Sequence, residues 1–347
     1  MKVTITDIAK LANVSKATVS AVLNDNPLTS KTTRNKVLKI IKKLDYKPNE
    51  LARSLSTKKT KSIGIVVKGI DNPYFTKVLK GVYDIANDEG YSVLLGSSEF
   101  DFTNELQSIK VLKAKHVDGL IIAPLQTEGA DYTYLFELIH EKYPFVLLDG
   151  VENIHTNVVD FDNQKAAYEA VTYLIKLGHK KIAYFTGPIY STHGRERLAG
   201  YQKALEEHGI TIRDDLIIDT GSKINDGYKS GKRLFTKKSD NPTAVFCYND
   251  MVAIGLAGAL RDLGISVPEQ VSIFGFDDIE MDTYLNAPLS TVHVPIYELG
   301  RAAAQLLIKQ LKSKNKVLNE VITLDAHLQI RATTSENSVA TGKQGIH

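Results

Sequence analysis

The chain has 347 residues, 43% of them apolar and 24% charged, an ordinary globular composition with material for about two to three compact units. A single cysteine, Cys247, excludes a disulfide framework and any Cys-based zinc cluster. No apolar run approaches the ~18 residues of a membrane-spanning helix. The opening Met1-Lys2-Val3-Thr4-Ile5-Thr6-Asp7 lacks the apolar stretch of a signal peptide, so a soluble cytoplasmic protein is expected. The net charge of +3 conceals an asymmetry: residues 1–60 hold 13 Lys/Arg against 4 Asp/Glu, whereas the remainder holds 30 against 36. A basic segment on an acidic body points to nucleic acid at one end.

Thr6 to Val14 reads as a short helix. Thr4 or Thr6 is placed to cap it, Asp7 complements its positive end, and Ile8, Leu11 and Ala12 fall on one face. Asn13 suits a left-handed turn residue. Ser15 caps a second helix, Lys16 to Leu23, whose apolar face is Val19, Val22 and Leu23; Asn24-Asp25-Asn26-Pro27 ends it. A third helix runs from about Thr32 to Leu44, with Val37, Ile40, Ile41 and Leu44 inward and Lys36, Lys39, Lys42 and Lys43 outward. Two short helices joined by a tight turn and braced by a third make a helix-turn-helix unit, whose second helix enters the major groove.

Thr6-Asp7-Ile8-Ala9, then Val14-Ser15 with Thr18-Val19-Ser20 and Val22-Leu23-Asn24, then Leu44-Asp45-Tyr46, Pro48-Asn49 and Leu51-Ala52-Arg53-Ser54-Leu55 resemble the head-piece of the lactose-repressor (LacI/GalR) family of transcriptional regulators. The resemblance implies DNA contacts from Thr6, Ser15, Lys16, Ala17, Thr18, Ser20, Asn24, Tyr46, Asn49, Arg53 and Leu55. Lys16 and Ala17 would face base edges, and Leu55 would wedge between central base steps from a hinge helix formed on the operator. Ala21 departs from the family pattern: many members carry an arginine there that reads guanine, and alanine offers only apolar contact, for instance to a thymine methyl. Thr57 to Lys61 is a polar, basic linker.

Beyond residue 62, strand and helix patterns alternate. Apolar runs at 63–67, 92–96, 118–124 and 145–149 form one series, and those at 182–186, 216–218, 244–248 and 272–276 a second after Asp160. Helical patterns lie at 74–89 and 103–115 in the first series, and at 163–177, 194–208, 226–236 and 250–263 in the second. The order predicts two doubly wound α/β lobes. In such sheets ligands bind beyond the carboxyl ends of the strands. Asn72-Pro73-Tyr74-Phe75, Asp149, Asn249-Asp250 and Asp277-Asp278 all follow strands, and facing lobes would bring them into one cleft suited to a polyhydroxylated ligand. Any single Asp there reads equally well as a helix cap.

The resemblance extends over nearly the whole chain, through Asp71 to Phe75, Val117 to Ile121, Gly178 to Ile182, Arg197 to Tyr201, Asn249 to Ala253, Phe274 to Asp278 and Pro288 to Val292. It implies an effector domain similar to periplasmic sugar-binding proteins, with Tyr74, Phe75, Asp149, Ser191, His193, Arg197, Asn249 and Asp277 lining the effector cleft. Arg197 suits ring and hydroxyl oxygens or a carboxylate. Ser222 stands where members that stack a purine or sugar ring carry an aromatic, and Ser191 where the purine type carries an arginine, so a sugar or sugar acid is favoured over a purine.

His179 reads as a turn residue, and His116, His140 and His155 show no metal spacing. Gly227 to Arg233 lacks the spacing of a phosphate loop. Pro295 to Leu311 is an amphipathic helix, inward or at a dimer contact. The expected organisation is a helix-turn-helix domain at 1–48, a hinge helix and linker at 49–61, and an effector-binding and dimerisation domain at 62–335. Its N-lobe takes 62–160 plus 292–320, its C-lobe 161–291 plus 321–335, and 336–347 form a polar, disordered tail. The expected function is a homodimeric regulator, most simply a repressor, on a pseudo-palindromic operator, controlled by a small effector, with no cofactor, metal, membrane role or catalysis. A cytoplasmic sugar-binding protein without a DNA role is the alternative, and an Asp149/Asp277 acid–base pair would be needed for an enzyme.

Overall fold

The computed structural model describes residues 3–23, 26–46, 59–236, 240–313 and 319–337. The chain divides into two compact units, Met1–Thr60 and Lys61–His347.

In the first unit, α1 (Ile5–Ala12), α2 (Lys16–Leu23) and α3 (Lys31–Lys43) are set by local chemistry. The Asp7 carboxylate accepts from Thr4 N at 3.0 Å, closing the first turn of α1, and Asn13 ends that helix in the left-handed region at φ 51°. Ser15 Oγ accepts from Thr18 N at 3.0 Å and opens α2. Ile8, Ala9, Ala12, Val19, Val22 and Val37 form the core. Leu11, expected inward, is 60% exposed. A two-turn helix meets its partners over a narrow arc, and Ala9 takes the inner position instead.

The second unit begins with β1 (Ser62–Val67), α4 (Pro73–Asp88), β2 (Ser92–Ser97), α5 (Phe102–Ala114), β3 (Gly119–Ile122), α6 (Thr133–His140), β4 (Phe145–Leu147) and β5 (Asn157–Phe161). It continues with α7 (Asn163–Lys176), β6 (Ile182–Thr186), α8 (Thr192–Glu207), β7 (Ile217–Asp219), α9 (Ile224–Phe235), β8 (Ala244–Cys247), α10 (Asp250–Asp262) and β9 (Ser272–Phe274). The last elements are β10 (Thr291–His293), α11 (Ile296–Lys312), β11 (Val321–Leu324) and β12 (His327–Gln329). One parallel sheet has the order β11-β5-β4-β3-β1-β2 and the other β7-β6-β8-β9. The fully buried runs Ser62–Val67 and Ala244–Cys247 show why central parallel strands read as unbroken apolar segments. This is the expected pair of doubly wound lobes.

Several assignments differ from the sequence reading. Val321–Leu324 pairs in parallel with Val158–Phe161, so this stretch edges the first lobe's sheet rather than belonging to the C-lobe. Residues 331–335 do bond to the second lobe, through Ile273 N to Thr333 O and Ser335 N to Ser272 Oγ. At the tail, Asn337 is tied to Leu177 O and Gly178 O, which removes 336–337 from the disordered segment; 338–347 lie outside the described residues. The helix 133–140 and the strand 157–161 were not expected.

The antiparallel pair β10–β12 lies on the segments that carry the chain between the lobes. Helix α11 returns to the first lobe and packs closely on α4. A Cβ at Gly81 would lie 2.2 Å from Tyr297 O and one at Gly300 2.1 Å from Val78 O, so glycine is what permits this approach. Among the described residues no helix is long and apolar enough to cross a membrane.

Candidate effector cleft and DNA-contacting face

Both sheets reverse strand order at one point, between β1 and β3 in the first lobe and between β6 and β8 in the second. Loops leaving those strands at their carboxyl ends bound the crevice in which doubly wound proteins hold ligands. Here the loops after β1, β3, β6 and β8 and the segment after β9 line one cavity. Its interior volume is about 80 Å³, below the ~300–1,000 Å³ of small-molecule pockets, so the cleft is narrow as the lobes stand.

Of the residues expected there, Tyr74, Phe75, Ser191, His193, Arg197, Asn249 and Asp277 all line this cavity. Asp149 does not reach its wall. It is fully buried beside it, accepting from Lys68 Nζ at 3.2 Å. Three lining residues are also caps: Asn72 Oδ1 accepts from Tyr74 N, Ser191 Oγ from Gly194 N and Asn249 Oδ1 from Val252 N, each at 2.9 Å. The cap and the ligand-facing readings of these residues coexist. Asp250 and Asp278, neighbours of lining residues, are structural. Asp250 takes hydrogen bonds from Asp278 N, Ile279 N and Thr291 Oγ1, and Asp278 pairs with His293 and Arg331.

Arg197 sits at the centre. Its Nε donates to Asn163 Oδ1 at 2.9 Å and its Nη1 to Tyr248 O. Its guanidinium plane lies 3.6 Å from the Phe276 ring centroid and 4.6 Å from that of Tyr248, a cation–π stack that fixes the fork. Asp277 faces it with φ at 126°, a left-handed conformation a side chain rarely adopts and which clusters at ligand clamps. Among the described residues nothing hydrogen-bonds the Asp277 carboxylate, and burial pushes its pKa well above the ordinary carboxylate value despite the attraction of Arg197. Burial likewise raises the Tyr74 hydroxyl well above its usual value.

Between the lobes, His193 Nε2 lies 2.9 Å from Asp160 Oδ1 and 3.3 Å from Asp149 Oδ1. Burial opposes charge on this imidazole, but the two carboxylates outweigh it and raise its pKa; His193 in turn helps hold Asp160 below the usual carboxylate range against burial. The donor atoms of Asp149, Asp160 and His193 lie within 4.8 Å of one another, and the Lys68 ammonium supplies positive charge beside Asp149.

Lys68, Phe100, Gln126 and Tyr248 also line the cavity and were missed. Lys68 and Tyr248 directly follow β1 and β8, so the carboxyl-end rule already pointed at them. Phe100 carried no such signal: it stands in the left-handed region at φ 60°, its ring edge over Gly69, where a Cβ would lie 2.9 Å from it. His179, expected in a turn, is buried, with its ring nitrogens 2.9 Å from Thr243 Oγ1 and 3.1 Å from Ser272 Oγ.

On the first unit, Thr6, Ser15 and Lys16 border one shallow groove. Ser15, Lys16 and Ala17 are exposed, Thr18 and Ser20 half-buried. Tyr46 rests on the helical core, which gives it a packing role beside the expected contact. Asn24, Asn49, Arg53 and Leu55, and with them the hinge helix, lie outside the described residues.

Residues 4–49 match the family model described as bacterial regulatory proteins, lacI family, and residues 171–334 match the periplasmic binding protein-like domain. The HTH-type transcriptional repressor PurR of Haemophilus influenzae (strain PittEE) is 35% identical over 97% of this chain and 99% of its own length. Among solved structures, a lac repressor dimer bound to operator and the anti-inducer ONPF superposes with a TM-score of 0.85 at 27% identity, covering 96% of this chain and all of the other. A LacI family regulator from Enterococcus faecium with bound ribose gives 0.70 at 30% identity, over 79% of this chain and 99% of that one.

Proposed function

Since the chain belongs to the lacI family of bacterial regulatory proteins and is a DNA-binding transcriptional regulator, we propose that it is a homodimeric cytoplasmic repressor whose hold on a pseudo-palindromic operator is set by a neutral sugar in the inter-lobe cleft. The observation that carries this reading is the pairing of Arg197 and Asp277 in one cavity: a stacked fork of donors opposite a carboxylate that no described residue hydrogen-bonds. Vicinal hydroxyls both donate and accept, and so match such a pair.

Charge balance favours a neutral ligand over a sugar acid or phosphate. Lys68 is committed to Asp149, and His193 to Asp160 and Asp149. An anion would compete with the Asp277 carboxylate for Arg197, the lining cation not already held by Asp149 or Asp160 among the described residues. A purine is disfavoured because Ser222 cannot stack and the Ser191 hydroxyl is engaged by Gly194 N and Pro188 O. The family relationship to repressors supports binding without turnover. Thr6, Ser15, Lys16, Ala17, Thr18 and Ser20 are the proposed operator contacts of the described head-piece, with Asn24, Asn49, Arg53 and the Leu55 wedge completing them. Closing the cleft couples to operator affinity as a reciprocal free energy between two sites.

The test is a thermal-shift screen of the full chain against neutral sugars, sugar acids, sugar phosphates and nucleosides, followed by operator binding with the hit. A ligand at ~100 times its Kd stabilises by about 2.7 kcal/mol. The expected result is a neutral-sugar hit that changes operator affinity. A response confined to phosphorylated compounds or nucleosides overturns the neutral-sugar reading, and a hit without effect on operator binding overturns the coupling.

A further inference from the structure

The two lobes grip each other directly at the first turn of α8. Thr192 N and Oγ1 donate to Gln126 Oε1 at 2.8 and 2.9 Å, and Thr192 Oγ1 also lies 2.9 Å from Gly150 O. Gln126 Nε2 donates to the same Gly150 carbonyl at 2.9 Å, which fixes the amide for Thr192. One residue on, the buried His193 places Nε2 between Asp160 and Asp149. Thr192 and His193 belong to the second lobe; Gln126, Asp149, Gly150 and Asp160 follow or sit in strands of the first.

We propose that this turn is an inter-lobe latch and that the proton on His193 sets its strength, so that the resting closure of the cleft responds to pH as well as to effector. The charged and titratable groups around the imidazole are few. Asp149 and Asp160 face it from the first lobe, with Lys68 behind Asp149. Glu196 and Arg197 lie on its own helix, and Tyr74 on α4 feels the same two carboxylates. The Phe161 ring, 5.4 Å away, completes the enclosure.

The sign follows from linkage. In the closed form the imidazole's pKa is raised above 6.5. Opening separates it from both carboxylates and returns it toward the ordinary value of about 6.5. Protonation therefore favours closure fully below that ordinary value, and the contribution is lost as pH rises through the raised one.

Nitroxide labels on Lys110→Cys and Glu206→Cys, exposed sites on the first and second lobes, read the inter-lobe distance by electron–electron double resonance. Labelled chain is diluted with unlabelled chain, and the native Cys247 is fully buried. In the ligand-free protein the mean distance lengthens between about pH 6 and about pH 8.5, a window chosen to bracket histidine titration. His193→Gln abolishes that shift. Asp160→Asn, melted alongside to verify folding, reduces or removes it. Thr192→Val lengthens the distance at both pH values while keeping the pH response. A wild-type distance that ignores pH, or a shift that survives in His193→Gln, overturns the proposal. No effector enters the experiment, so failure of the sugar reading leaves its outcome intact.

Discussion

The two walls of the cleft are built from different chemistry although both come from the same kind of sheet. The first lobe supplies mainly ring and aliphatic surface: Tyr74, Phe75, Phe100, Ala123, Leu125 and Leu148. The second supplies mainly polar groups, Ser191, His193, Arg197, Ser222, Asn249 and Asp277, beside Pro188 and Tyr248, while Lys68, Asn72 and Gln126 are the first lobe's polar share. An apolar wall excludes water and contributes affinity in proportion to area, with little preference for hydroxyl stereochemistry. A polar wall with fixed donors and acceptors discriminates, because a mismatched ligand leaves buried groups unpaired. On the proposed function, ligand selection is expected to rest mainly on the second lobe and desolvation on the first.

Substitutions on each wall test that division, and the largest effect is expected at Arg197. Arg197→Ala removes the stacked fork and should weaken sugar binding by more than ~100-fold, since each hydrogen bond to a charged group contributes ~1.5–3 kcal/mol. Calorimetric titration with the screened sugar measures this, and operator binding by the ligand-free chain should survive. Arg197→Lys should not rescue, because an ammonium cannot reproduce the planar fork. Asp277→Asn should cost roughly 10- to 100-fold on the same basis. Its pH dependence sharpens the point. A carboxyl whose pKa is raised takes up its proton at a higher pH than an ordinary one, so wild-type affinity should fall on acidification sooner than a normal carboxylate would allow, and the Asn variant should lack that limb.

On the first wall the expected losses are smaller. Tyr74→Phe keeps the ring and removes one neutral hydroxyl, so affinity should change by about 2- to 10-fold. A change as large as that of Asp277→Asn would break the division between walls. The smallest effect belongs to Lys223→Ala at the mouth. Lys223 Nζ lies 5.1 Å over the Phe100 ring and 4.0 Å from Asp71, with both charged side chains more than half exposed. Exposed pairs contribute ~0–1 kcal/mol, so equilibrium affinity should stay within a few-fold while ligand release, followed by stopped flow, quickens slightly.

The difference between mouth and latch makes the same argument about burial. Lys223 bridges the lobes through solvent and is screened. His193 bridges them while nearly buried, and its carboxylates act on it at close range.

Much of this was legible in the chain itself, for reasons that differ by region. The head-piece helices were readable because their determinants are local: Thr4 with Asp7, Ser15 with Thr18, Asn13 in the left-handed turn. The doubly wound order and the positions after strands were readable because parallel strands buried on both faces leave long apolar runs, and the carboxyl-end rule then points to Tyr74, Asn249 and Asp277. Family likeness carried Ser191, His193 and Arg197, which no local pattern singled out. Only the tertiary structure decided that Val321–Leu324 joins the first sheet, that Asp149 stands behind the cavity wall paired with Lys68, and that His193 is shared by Asp149 and Asp160. Those facts depend on strand register and on lobe-to-lobe distances between residues far apart in the chain. Periodicity and capping, which reach only a few residues, contain no information about them.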